Sequence, residues 1–378
     1  MKGSRFPGRV LIFSILLLRL LFSFCRQKPK LESVNRILIL HQFLLGDALM
    51  ATSLLAKARE RFPKAEIVLA CPPGQAPLYE TRPYGIRPLP WQPRDFTSIW
   101  RLFAEERFDM VYLMGENRLS FLARAIGARW IVGFAGEAPL YKNWLLDEAV
   151  PYSEQPESWS ETAARLVAPE APRPYRLADW PLEPVSLPAL PARYVVLHVG
   201  ASSATKFWPA DNWRQVAAFV RGQGLNVVWS CGPGEQALLE AVCEEGDLAM
   251  AGCLSLLQLR AMLARAMACV CPDSGVAHLA KVAGAPLVML FGPGSCQVFG
   301  PGRFFSGTAC VGVGTEWFPC RNERSVHLRD VPWVLRCSRQ AGTAIGCCPE
   351  AQCMRAIPAA GVQAALVELL EGVMGSRE

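Results

Sequence analysis

Short apolar runs alternate with amphipathic stretches along most of the chain. In the first half, the runs with the length of buried strands are residues 36–40, 66–70, 86–89, 109–114 and 130–134. Between them, apolar residues recur at helical spacing over residues 48–62, 96–106 and 119–126. Strands that alternate with helices predict a parallel, doubly wound α/β sheet.

The same alternation resumes in the second half after an interruption. Residues 151–191 are rich in proline, which is typical of a stiff connector and excludes the interior of a sheet. Beyond it, strands are predicted at 194–200, 225–230, 267–271 and 286–291, with helices at 212–221, 236–245, 254–266, 275–283 and 359–373. The sequence after Pro301 is otherwise irregular.

This pattern predicts two Rossmann-like domains that face each other across a cleft. We expect an N-terminal tail over residues 1–34, a first domain over 35–175, a proline-rich linker over 176–191 and a second domain over 192–378. Clefts between domains are frequent ligand sites, so the loops that follow the strands are the places to look for chemistry.

Charge changes this picture at one end only. The formal net charge is +6, from 39 basic and 33 acidic residues. Residues 1–30 hold seven of the basic residues and no acidic one, which leaves the body of the chain close to neutral. The composition, 51% hydrophobic and 19% charged, is that of a globular protein. A general nucleic-acid surface is therefore not expected.

The basic tail contains an apolar run over residues 10–24 that Arg19 interrupts. On a helix, Arg19, Ser23 and Arg26 would share one face and leave a broad apolar face. Such a segment favours the surface of an anionic cytoplasmic leaflet, and a transmembrane or signal segment is the alternative.

Fourteen cysteines raise the question of disulfides or a metal. Several lie within strand-like apolar runs, where cysteine acts as a small hydrophobic residue, and a chain this long needs no disulfides for stability. We therefore expect a reducing compartment. Five more lie near the C-terminus without paired C-x-x-C motifs, which favours free thiols over a metal site: Cys320, Cys337, Cys347, Cys348 and Cys353.

Asp47 and Lys206 are the first candidates for chemistry. Asp47 follows Gly46 after the first strand, where it could act as a general base or merely cap a helix. Lys206 stands in a loop with Ser202 after the first strand of the second domain, and a lysine there suits a phosphate or is simply solvated.

Three further loops have the character of ligand-binding turns. Gly232 and Glu235 belong to a glycine-rich turn after a strand. Asp273, Ser274 and Gly275 precede or open a helix whose N-terminus favours anions, and His278 lies one helical turn on from Ser274. A second glycine-rich loop, from Gly292 to Ser295, follows the next strand.

Three segments together resemble glycosyltransferase family 9, the heptosyltransferases of lipopolysaccharide core assembly. They are GDALMATSLLAKARERFPKAEIVLA, GASSATKFWP and DSGVAHLAKVAGAPLVMLFGPGS. The resemblance spans about residues 36–300 and implies a GT-B fold, an ADP-heptose donor, inversion at the anomeric carbon and no metal. Two departures are Ser53, where many relatives have proline, and Gly294-Ser295, where the loop usually continues with threonine after FGP.

The resemblance also implies roles for individual residues. Asp47 would deprotonate the acceptor hydroxyl, Lys206 would meet the diphosphate, and Asp273 would bind hydroxyls of the donor sugar. Ser274, Gly275 and His278 would lie near the phosphates.

We thus expect a transferase that uses a nucleotide-sugar and a lipid-linked saccharide at the cytoplasmic face of the inner membrane. The alternatives are a non-catalytic saccharide-binding protein on the same fold and an NAD-type oxidoreductase. No G-x-G-x-x-G follows the first strand of either domain, which disfavours the oxidoreductase.

Overall fold

The computed structural model describes residues 5–21, 30–315, 317–344 and 346–375. Within those ranges the chain forms two six-stranded parallel sheets and one short antiparallel hairpin. Helices flank both sheets, as the alternating pattern predicts, so the expectation of two Rossmann-like halves in a GT-B arrangement is confirmed.

The first sheet has the strand order β3-β2-β1-β4-β5-β6. Its strands are β1 (Arg36–Leu40), β2 (Glu66–Cys71), β3 (Ile86–Pro90), β4 (Met110–Leu113), β5 (Trp130–Phe134) and β6 (Glu148–Val150). Its helices are α1 (Phe6–Leu21), α2 (Leu45–Met50), α3 (Thr52–Arg61), α4 (Phe96–Ala104), α5 (Leu119–Ala125) and α6 (Trp159–Arg165). The single helix expected over residues 48–62 is thus two helices, and the first begins before Asp47.

The second sheet has the order β12-β11-β10-β7-β8-β9, the same topology as the first. Its strands are β7 (Tyr194–His198), β8 (Asn226–Cys231), β9 (Leu248–Ala251), β10 (Ala268–Pro272), β11 (Leu287–Phe291) and β12 (Cys310–Gly314). Its helices are α7 (Ala210–Gly222), α8 (Gln236–Glu240), α9 (Leu256–Arg265), α10 (Gly275–Ala283), α11 (Cys296–Phe299), α12 (Gln352–Arg355) and α13 (Ala359–Gly375). In both sheets, the strand order reverses between the first and fourth strands, where doubly wound folds bind ligands.

The expectation of an irregular chain after Pro301 is wrong in part. β12 completes the second sheet by pairing with β11 in parallel, and β13 (Ser325–Val326) and β14 (Arg329–Asp330) form a hairpin. The helix expected up to residue 245 is also shorter, because α8 ends at Glu240.

The basic tail helix α1 packs on α4 and α5 of the first domain. The rings of Phe13 and Phe121 lie 5.9 Å apart, and Leu16 is buried. The face through Arg19, Ser23 and Arg26 falls on side chains outside the described residues. Within the described ranges, none of the helices combines the length and apolar character needed to cross a bilayer.

Candidate active site

A cleft of about 910 Å³ lies between the two sheets. One wall comes from loops that follow β1 and β4, and the other comes from loops that follow β7, β10 and β11. Residues 325–328 and 336–339 also line the cleft. The lining includes seven residues that the sequence singles out: Asp47, Ser202, Lys206, Asp273, Ser274, Gly275 and His278. The two domains thus bring these candidates to one place from positions more than two hundred residues apart in the chain.

Asp47 lies in the first turn of α2, and the N-cap position belongs to Leu44. Its side chain is therefore not the helix cap, and a quarter of it is exposed to the cleft. The indole Nε1 of Trp159 donates to the Asp47 carbonyl oxygen at 3.1 Å, which fixes the backbone of this turn.

The opposite wall carries a linked group of charged and polar side chains. Lys206 Nζ donates to the Asp273 carbonyl oxygen at 2.6 Å and to Asp273 Oδ2 at 3.0 Å. His278 Nε2 lies 3.6 Å from Asp273 Oδ1. Asp273 therefore serves as the centre that positions Lys206 and His278, in addition to any contact with a ligand.

The two carboxyl groups have opposite electrostatic surroundings. The pKa of Asp47 is raised to about 6, chiefly by burial and further by the Asp273 charge, against the opposing charges of Lys206 and Arg336. Burial would also raise the pKa of Asp273, but the Lys206 charge and the His278 contact outweigh it and hold that pKa well below its ordinary value. Burial lowers the pKa of His278 to about 4, so this imidazole is neutral near pH 7.

Ser274, at the N-terminus of α10, places a hydroxyl group in the same region. Ser274 occupies the N-cap position without a side-chain cap bond, and its Oγ is buried without a hydrogen-bond partner among the described residues. The amide groups of the first turn and the helix dipole favour an anion at this position.

Two glycines let the walls approach each other at this point. A Cβ on Gly46 would lie 2.8 Å from His278 Cδ2, and a Cβ on Gly275 would lie 3.1 Å from Leu45 Cβ. Glycine at both positions therefore permits α2 of the first domain to contact α10 of the second.

A smaller pocket of about 340 Å³ adjoins the cleft and is lined by Gly232 and Glu235. Ser202, Ser274 and Gly275 line both cavities. The Glu235 carboxylate accepts from the backbone N–H of Gly232 at 2.7 Å and of Ala201 at 3.1 Å. It thereby joins the loops after β7 and β8.

Gly292 and Ser295 do not line the cleft, although the sequence suggests that they do. The lining residues of that loop are Pro293 and Gly294, which lie between them. Gly292 packs beneath Met354 and Cys353, and Ser295 is buried at the N-cap of α11. At the position where relatives usually have threonine, a Cβ on Gly294 would collide with Asp273 Oδ2.

Sequence reasoning misses several side chains of the cleft, among them His327 and Arg336. His327 Nε2 lies 3.8 Å from Asp47 Oδ1, and Arg336 opposes the rise in the Asp47 pKa. Both residues belong to the region after Pro301, which carries no periodic pattern. The sequence there gives one weak signal of a hairpin: two residues separate the short segments Ser325–Val326 and Arg329–Asp330.

The C-terminal cysteines form no disulfide with any described cysteine. Across the described ranges, no cluster of three or more His, Cys, Asp or Glu side chains is arranged to hold a metal ion. The cysteine-rich segment instead supports the loop beside the site: Cys337 N donates to the Pro293 carbonyl oxygen at 2.9 Å, and Arg321 Nη2 donates to that of Gly292 at 2.7 Å.

Comparison with known proteins places the chain among sugar transferases. The sequence profile of glycosyltransferase family 9 (heptosyltransferase) matches residues 96–326. Lipopolysaccharide heptosyltransferase 1 of Pseudomonas aeruginosa is 24% identical over 75% of this chain and 85% of its own length.

Two solved structures from E. coli share the fold. ADP-heptose lps heptosyltransferase II aligns with a TM-score of 0.66 at 20% identity, over 90% of this chain and 99% of that one. Heptosyltransferase WaaC with ADP aligns with a TM-score of 0.64 at 15% identity, over 88% and 99% of the two chains.

Proposed function

Because the chain belongs to glycosyltransferase family 9, the heptosyltransferases, we propose that it transfers a heptose or similar sugar from an ADP-sugar. The acceptor is a saccharide of the lipopolysaccharide core or another lipid-linked saccharide. Transfer inverts the anomeric carbon and needs no metal. The observation that carries this proposal is the opposition of Asp47 to the Lys206–Asp273–His278 group across one cleft.

Asp47 is the general base of the proposed reaction. Its carboxylate takes the proton of the acceptor hydroxyl, and the oxygen attacks the anomeric carbon on the face opposite the diphosphate. The bond between that carbon and the diphosphate oxygen breaks, and its electron pair leaves with ADP. A carboxyl group with a pKa of about 6 is ionised at neutral pH and is still basic enough to accept a proton.

Lys206 and the N-terminus of α10 stabilise the charge that develops on the diphosphate. The ammonium group is held by Asp273 before the ligand arrives, so little reorganisation is needed during the reaction. The Ser274 hydroxyl is free to donate to a phosphate oxygen. These groups supply the charge stabilisation that a metal provides in other transferases.

The pocket beside the cleft is the proposed site of the nucleoside. Glycine at positions 200 and 232 lets the Glu235 carboxylate pack against the backbone, and this carboxylate lines the pocket, where it could accept from ribose hydroxyls. Ser202 connects the two cavities, consistent with one donor molecule that spans both.

Calorimetry with nucleoside diphosphates and their sugars tests the donor. We expect ADP and ADP-sugars to bind equally well in EDTA and in Mg²⁺, and transfer to a core saccharide to persist in EDTA. Strict dependence on UDP or on a metal would contradict the proposal. In the same calorimetry, Lys206→Met should bind ADP more weakly than the wild type. Lys64→Met is its matched control, since Lys64 is exposed on the first domain, away from the cleft.

We also propose that α1 and α4 hold the enzyme against the cytoplasmic face of the inner membrane. Phe6, Val10 and Leu17 of α1 and Trp100 of α4 are exposed large apolar side chains. Exposed arginines accompany them, among them Arg9, and anionic lipids would attract these. This location suits an acceptor that is anchored in lipid.

Co-sedimentation with vesicles tests this surface. We expect binding to vesicles that contain phosphatidylglycerol, weaker binding at high salt and little binding to pure phosphatidylcholine. Trp100→Glu with Phe6→Glu should abolish sedimentation and leave ADP binding intact. Equal sedimentation of this variant and the wild type would contradict the proposal.

A further inference from the structure

The turn of the β13–β14 hairpin has an unusual backbone for its sequence. His327 has φ +46° and Leu328 has φ +67°, so both lie in the left-handed region. A two-residue hairpin turn with positive φ at both positions is ordinarily made by Asn-Gly or Asp-Gly, because larger side chains are disfavoured there. Something other than local preference therefore holds His327 in this position.

Arg329 provides the anchor that holds the turn. Although the hairpin lies between β12 and α12 of the second domain in the chain, Arg329 is buried against the first domain. Its Nη2 lies 3.2 Å from Glu137 Oε2, and both side chains are almost completely buried. The guanidinium group also donates to the carbonyl oxygens of Gly115 and Phe134, which follow or end β4 and β5. Backbone strain persists where the surroundings determine the conformation this strongly.

This anchor places the His327 ring beside Asp47, the proposed general base. The ring centroid lies 4.7 Å from that of Phe43 and 4.2 Å from that of Trp159, and both partners belong to the first domain. The Nε2 atom is buried without a hydrogen-bond partner among the described residues, and it lies 3.8 Å from Asp47 Oδ1. An unpaired buried nitrogen is unfavourable unless it is used at some stage of the reaction.

We propose that His327 is a positioning residue for Asp47, whose role as base rests on the proposed function. Its neutral ring donates from Nε2 to Asp47 Oδ1 when the two atoms approach by about 1 Å, a hydrogen-bonding distance. This bond orients the carboxylate so that Oδ2 faces the acceptor hydroxyl.

The electrostatics of the hairpin agree with this role. Burial, together with the charges of Arg329 and Arg336, lowers the pKa of His327 to about 3, so the ring is neutral and can donate from one nitrogen only. The other groups that act on Asp47 are His278, Asp273, Lys206 and Arg336. A hydrogen bond to the ionised carboxylate stabilises the charged form, so its loss should raise the Asp47 pKa.

The test compares His327→Ala and His327→Gln with the wild type. In His327→Ala we expect kcat to fall by about 10- to 100-fold, by analogy with the loss of a side chain that orients a metal-binding residue. We also expect the acid limb of kcat/KM to move to higher pH and ADP affinity to stay unchanged. His327→Gln should restore part of both effects, because its amide nitrogen can donate from nearly the same place.

Controls separate positioning from folding and from the proposed function. Asp330→Ala alters an exposed residue of the same hairpin and should leave the pH profile unchanged. If His327→Ala lowers Tm and kcat without moving the acid limb, the role is structural and the inference is overturned. If the wild type transfers no sugar, the proposed function fails. An NMR titration of the Asp47 carboxyl in wild type and His327→Ala then still decides whether the contact exists.

Discussion

The two walls of the cleft shift the pKa values of their carboxyl groups in opposite directions. On the second domain, Asp273 is paired with Lys206 and contacts His278, and its pKa is held far below the ordinary value. On the first domain, Asp47 has no ion pair with a lysine or arginine among the described residues, and burial raises its pKa to about 6. Both walls arise from the same strand order, so the difference comes from side chains and not from the fold.

This difference separates two tasks. A carboxylate that stays ionised and holds a cation in place is suited to organising the binding of an anionic donor. A carboxyl group whose pKa lies near the working pH is suited to accepting a proton. When the surroundings of two neighbouring acidic groups shift their pKa values in opposite directions, the two groups often have different roles in the reaction.

Asp47→Asn should have the largest effect, because it removes the proton acceptor and keeps the shape of the side chain. We expect kcat to fall by about 10³-fold or more, at the upper part of the range for a general base, with ADP affinity unchanged. Asp273→Asn is the matched comparison, since it removes the carboxylate charge that pairs with Lys206 and should weaken ADP binding as well. Turnover measurements and calorimetry on both variants distinguish a role in proton transfer from a role in donor binding. Full activity in Asp47→Asn would rule out its role as base.

Lys206→Met should have the next largest effect. It removes the cation proposed to meet the diphosphate, and we expect kcat/KM to fall by about 10²-fold, as for the loss of one stabilising donor. ADP affinity should fall with it, because the charge acts on the leaving group both before and after transfer. Lys64→Met should behave like the wild type. If Lys206→Met kept full affinity for ADP, the assignment of the second domain as the donor wall would be wrong.

The pH dependence of kcat/KM in the wild type should report the ionisation of Asp47 and not that of Asp273. The proposed base Asp47 must be ionised to accept a proton, so kcat/KM should fall as the pH decreases through about 6. Asp273 should add no limb there, because its pKa is held far lower. In Lys206→Met the limb should move to higher pH, since Lys206 lowers the Asp47 pKa. A limb that is absent or unmoved would contradict the coupling across the cleft.

More of the wall proposed to bind the donor than of the opposite wall is predictable from the sequence, because its residues lie close together in the chain. Asp273, Ser274 and His278 belong to one strand–turn–helix unit, so their spacing and their neighbours in the chain determine where they lie. Glu235 and Lys206 likewise lie in loops that follow buried strands. The periodic pattern therefore predicts both the fold and most of this wall.

The remaining residues depend on contacts between distant parts of the chain. His327 lies beside Asp47 because the hairpin is held on the first domain, in part by the ion pair of Arg329 with Glu137, two residues 192 positions apart. Gly292 and Ser295 looked like ligand contacts from composition, but packing against Met354 and the N-cap of α11 turns them away from the cleft. No local pattern encodes either outcome.

Gly46→Ala should have the smallest effect and is the finest test of how the walls meet. The added Cβ would lie 2.8 Å from His278 Cδ2, so α2 and α10 must separate slightly. Overpacking of this kind typically costs about 1–3 kcal/mol, which here would act on the approach of Asp47 to the donor. We expect kcat/KM for transfer to fall by about tenfold while ADP affinity changes little, because the donor groups keep their own contacts. Gly74→Ala is the control, since its Cβ would meet nothing within 4 Å. An equal loss of ADP affinity and turnover in Gly46→Ala would mean that the first domain also shapes the donor site, and that the two walls do not act separately.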